Sequence, residues 1–86
     1  GRFEEAVEPM ERAVALLPVD PIVNDHLGDV YWMVGREREA EFQWKRALSF
    51  DPEEKDANRI RRKLDVGLTV VLEEVKTREA TETAND

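Results

Sequence analysis

His26 is the single histidine of the chain, and Asp25 and Asp29 stand beside it, one residue before and three after. An imidazole with two carboxylates is the minimum from which a weak metal site or a general base is assembled. Three such groups on one helix diverge rather than converge on a point, and no Ser or Cys nucleophile is paired with His26. Cysteine is absent, so no thiolate site and no disulfide can form. No Gly-rich phosphate loop or nucleophile elbow is present. Catalysis, a metal and a cofactor are therefore not expected.

Two further groupings suggest chemistry. Arg59-Ile60-Arg61-Arg62-Lys63 has the composition of a nucleic-acid patch. Ile60 interrupts it on what should be a core stripe, so a solvated helix face explains the run better. With 13 basic and 20 acidic residues the chain carries a formal charge of −7. That balance disfavours nucleic acid and anionic membranes as partners and favours a basic or neutral polypeptide. Tyr31, Trp32 and Trp44 invite comparison with an aromatic box. Tyr31 and Trp44 fall where core packing is required, while Trp32 is open to either role.

At 86 residues the chain is long enough for one small domain. It is 41% hydrophobic and 38% charged, a mixture suited to helices with one apolar face each. No apolar run approaches the ~20 residues that cross a bilayer; the longest candidate is Leu68–Leu72. Organisation comes from an internal repeat. Gly1, Ala6, Met10, Ala13 and Pro18 recur 34 positions later as Gly35, Ala40, Trp44, Ala47 and Pro52. Each copy describes a turn, a helix with small residues at a close crossing, and a proline that ends it. These helices should cover roughly 2–17 and 36–50. Between them Ile22, Leu27, Val30, Tyr31 and Val34 recur at helical spacing after Asp20-Pro21, a helix-start signal. Gly28 in mid-helix implies a close approach by the next helix.

Leu27-Gly28, Tyr31, Gly35, Ala40, Trp44, Ala47 and Pro52 together resemble a tetratricopeptide repeat over about residues 1–65. Asn24 and Glu37 depart from the family pattern, where large or aromatic residues are usual, and imply looser packing there. The stretches His26–Trp32 and Arg46-Ala47-Leu48 are also similar to the carboxy-terminal end of long repeat-containing proteins of alphaproteobacteria. The resemblance implies an all-α fold, a right-handed superhelical stack of antiparallel helix pairs. It would comprise about one and a half repeats plus a carboxy-terminal cap. Residues 1–76 would form the domain: 1–18 the second helix of a partial repeat, 21–52 a complete repeat, 53–76 the capping helix. Residues 77–86 are polar and aperiodic and are expected to be a disordered tail.

In this family a concave groove grips a peptide or protein segment. The resemblance places Ile22, Asp25, Asp29, Trp32 and Met33 on that groove, with Asp56, Arg59, Lys63 and Val66 from the cap. A mixed groove follows, an apolar shelf beside acids able to receive a Lys- or Arg-bearing partner. Equally, Asp25 and Asp29 can pair with Arg59 and Lys63 as exposed ion pairs worth ~0–1 kcal/mol each. The competing class of function is structural, a cap or self-association segment of a longer solenoid. The chain opens at Gly1 and lacks the helix that would pair with residues 2–17, as expected of a piece of a longer protein. Phe3, Val7, Met10, Val14 and Leu17 should then leave an apolar strip exposed, a route to homo-oligomers. Composition leaves cytoplasm and periplasm both open.

Overall fold

The computed structural model describes the backbone of residues 2–85 and the side chains of residues 2–81, so Gly1 and Asp86, both part of the expectations above, lie outside it. Five helices follow one another: α1 (Arg2–Leu16), α2 (Pro21–Met33), α3 (Glu37–Ser49), α4 (Glu54–Val66) and α5 (Leu68–Asn85). No strand occurs among the described residues.

Local chemistry sets the boundaries. Asp20 caps α2, its Oδ1 accepting from the amides of Ile22 at 2.9 Å and Val23 at 3.0 Å. Gly35 takes φ 85° in the turn before α3, a conformation that glycine adopts freely. Asp51 turns the chain after α3 at φ 56°, tolerable for a short polar side chain. Pro9 lies inside α1, where it removes a backbone donor, and α1 contains no buried residue.

The core is the α2–α3 pair with α4 closing it. Leu27, Tyr31, Ala40, Trp44, Ala47, Ile60 and Leu68 form one buried cluster. Ala40, Trp44 and Ala47, the repeat positions of α3, are completely buried. Gly28 is required by α3: a Cβ there would lie 2.5 Å from the Trp44 ring and 3.1 Å from the Ala40 carbonyl oxygen. From α1, Val7, Met10 and Val14 are half-buried against this core. Phe3 and Leu17 stay exposed, joined by Leu16 and Val19, so the apolar strip survives only at its two ends.

Three expectations are corrected. Asn24 does not loosen the repeat: it is fully buried and its amide donates to the carbonyls of Pro18 at 3.2 Å and Asp20 at 2.8 Å. The segment 53–76 is not one helix, because Gly67 at φ 88° splits it into α4 and α5. Residues 77–85 are helical rather than a disordered tail. No Pro or Gly follows Gly67, and Glu, Lys, Arg and Ala there are good helix formers. The acidic and basic groups of Glu74 and Arg78 lie one turn apart and attract each other.

The 34-residue register also aligns α2 with α4, and here the two differ. Leu27, Gly28 and Tyr31 of α2 are buried, whereas Arg61, Arg62 and Asp65 at the matching positions of α4 are exposed. α4 therefore offers a polar surface where α2 receives its partner helix. α5 instead runs back along α4 on the side facing α2, tied by the Arg62–Glu74 pair at 2.9 Å.

Candidate functional site

The acids singled out from sequence meet at one point. Lys63 of α4 extends its ammonium between two successive turns of α2. Its Nζ lies 2.8 Å from Asp25 Oδ1 and 2.9 and 3.0 Å from the two oxygens of Asp29. The side chains of Lys63 and Asp25 are only 4% and 6% exposed. The pairing expected at the surface is thus a buried one, for which desolvation is costly unless every donor is used. An ammonium has three donors, and these three contacts satisfy them. Trp44 Nε1 donates to Asp29 Oδ1 at 3.0 Å, locking the core indole to the same carboxylate.

Two carboxylates share one ammonium, so the cluster carries an excess negative charge. Burial raises the Asp29 pKa above its ordinary range; Lys63 opposes that shift, and the charge on Asp25 adds to it. Arg59 does not join the cluster. It reaches Asp56 on its own helix at 3.8 Å. The basic run is dispersed in the same way: Arg61 donates to Asn58, Arg62 to Asp65 and Glu74, and Ile60 is buried.

Trp32 faces the start of α5. Its Nε1 donates to Thr69 Oγ1 at 3.0 Å, and a Cβ at Gly67 would stand 2.7 Å from its ring. Its ring lies 5.7 Å from that of Trp44, tilted by 32°. Next to it opens an apolar depression of about 220 Å³, lined by Phe3, Asp29, Val30, Met33, Leu68 and Leu72. Met33 and Phe3 are 39% and 50% exposed there. A second, more polar depression of about 460 Å³ lies between α2, α4 and α5, with His26, Asp25 and Arg59 among its lining.

Of the residues expected on a groove, Asp25, Asp29 and Lys63 are brought together, Trp32 and Met33 lie alongside, and Arg59 lines the polar depression but not the apolar one. Ile22 is exposed and lines neither. Phe3, Val30, Leu68 and Leu72 also line the apolar depression, and the resemblance places none of them on a groove. The spacing of Leu68, Val71, Leu72 and Val75 carries the signal for α5, but only with Gly67 read as a full break does it bring α5 back to α2. Among the described residues no group of His, Cys, Asp and Glu is arranged to hold a metal ion. No described helix is long and apolar enough to cross a membrane.

Comparison with family models, with curated proteins and with solved structures finds no match for this chain.

Proposed function

We propose that the chain is a protein-interaction module, a tetratricopeptide-type stack that binds a peptide or protein segment without catalysis. The observation that carries this reading is the apolar depression of Phe3, Val30, Met33, Leu68 and Leu72 with a carboxylate, Asp29, in its wall. Exposed apolar surface next to an acid suits a segment that inserts an apolar side chain and follows it with Lys or Arg. The formal charge of −7 favours the same partner at longer range.

Titration with amphipathic peptides of opposite net charge, followed by tryptophan emission, tests this reading. Basic peptides should bind and acidic ones should not. Phe3→Glu and Met33→Glu, both at exposed positions, should abolish binding while leaving the melting temperature nearly unchanged. Absence of any peptide response, or unchanged binding by both variants, overturns it.

A second reading has its own support. Exposed Arg61, Arg62 and Asp65 on α4, in place of buried Leu27, Gly28 and Tyr31, are what a terminal cap requires. In that case peptide titrations stay flat, and deleting residues 54–86 makes the remainder aggregate.

A further inference from the structure

One residue joins α4 to α5. Gly67 sits at φ 88° and ψ 156°, and the helical bonding pattern reaches it from both directions. Its amide donates to the Lys63 carbonyl at 2.8 Å, and its own carbonyl accepts from the Val71 amide at 3.3 Å. Both are the i to i−4 bonds of an α-helix. The span Glu54–Asn85 contains no Pro and only this Gly. Rotation at Gly67 alone therefore converts α4 and α5 into one helix about 48 Å long.

α5 is lightly held in its present place. Leu68 and Val71 are its only buried apolar side chains among the described residues, while Val70, Leu72 and Val75 remain 43%, 47% and 40% exposed. Two of its polar ties, Arg62–Glu74 and Trp32–Thr69, are at the surface. Arg62 and Glu74 are equidistant in sequence from Leu68. An α5 lying antiparallel along α4 with that symmetry presents the same contacts whether it belongs to the same chain or to another.

We propose that Gly67 is a hinge at which two copies of this chain exchange α5, forming a domain-swapped dimer. In the dimer each α4–α5 is continuous, and the two long helices run antiparallel about an axis near Leu68. Val71, Glu74 and Val75 of one copy then meet α4 of the other. Exchange of an identical element needs no new interface chemistry, and a one-residue hinge gives it little slack to stay closed. The occupant of the α4 face facing α2 is thus a second copy's α5, not an unrelated chain.

The chain has no cysteine, so Arg62→Cys with Glu74→Cys, both exposed positions, gives a clean test. Isotopically light and heavy copies are mixed at high concentration, then diluted and treated at once with a short bis-maleimide. Covalent dimers whose linked peptides join position 62 of a light chain to position 74 of a heavy one are expected. Gly67→Ala puts a Cβ on a Gly-only backbone conformation and 2.7 Å from the Trp32 ring of the closed chain, and should strengthen dimerisation roughly a hundredfold, since both hinges are relieved. Inserting Gly-Ser-Gly after Gly67 should return the chain to monomer. Internally linked monomers alone, or a dimer lacking the 62-to-74 link between copies, overturn the proposal. So does a dimer fraction indifferent to both hinge changes. Association through Phe3 and Leu17 would give that indifferent result.

Discussion

The indole of Trp44 rests against the bare backbone of Gly28, closer than any side chain at that position would allow. Both residues are buried, and the Ala40 carbonyl closes the other side. Neither neighbour has room to withdraw. Gly28→Ala should therefore destabilise the chain by ~1–3 kcal/mol through overpacking, despite alanine's better helix propensity. Thermal or urea unfolding followed by circular dichroism measures this, and a stabilised variant would refute the close crossing.

Removing the ammonium at the centre of the acid pair is predicted to be more damaging. Lys63→Met leaves Asp25 and Asp29 facing each other with no cation, a loss of ~3 kcal/mol or more for a pair this buried. Adding Asp25→Asn and Asp29→Asn should restore much of that loss. Urea titration of the single and triple variants gives both numbers, and an unaffected single variant would show the cluster to be solvated.

The pH dependence of Asp29 follows from the same burial. Its folded pKa lies above the ordinary 3.8, so in the window between them the folded state holds a proton that the unfolded state has released. This contribution to stability is full below the unfolded pKa and is lost as pH rises through the folded one. Asp29→Asn should accordingly compare best with the parent at neutral pH, and its relative advantage should shrink as pH falls toward 3.8. Melting curves of the two proteins across mildly acidic pH test the sign.

Tyr31 titrates late. Burial, with help from the Glu11 carboxylate that accepts its hydroxyl at 2.5 Å, pushes its pKa up to about 12. Neutral Tyr31 is the form that the fold favours, so stability should fall as pH rises from 10 toward 12. Ultraviolet titration of tyrosinate reads this directly, since the chain has one tyrosine. Tyr31→Phe removes the tie between α1 and α2. It should cost about 0.5 kcal/mol, the low end for a hydrogen bond, because Glu11 is exposed.

The helical elements were legible because spacing encodes burial: Ala40, Trp44, Ala47, Leu27 and Tyr31 all lie inside, as their positions require. Gly28 announced the close crossing, and Asp20 announced the start of α2. Residue size alone misplaces Asn24, which lies fully inside with its Nδ2 donating to two turn carbonyls and its Oδ1 buried without a partner among the described residues. At the site, sequence brought Asp25, Asp29 and Lys63 to neighbouring helices but gave no measure of their burial. That depends on α5, whose path turns on the dihedrals of Gly67, a property that periodicity does not encode.

On the cap reading, the exposed trio Arg61, Arg62 and Asp65 makes α4 what an end group is in a polymer, since a further unit finds nothing apolar to join there. An end group can be exchanged. Writing Leu, Gly and Tyr into those three positions, and trimming the chain at Gly67, would turn a terminus into a coupling site. A designer could then splice further helix pairs onto it and lengthen the array one unit at a time.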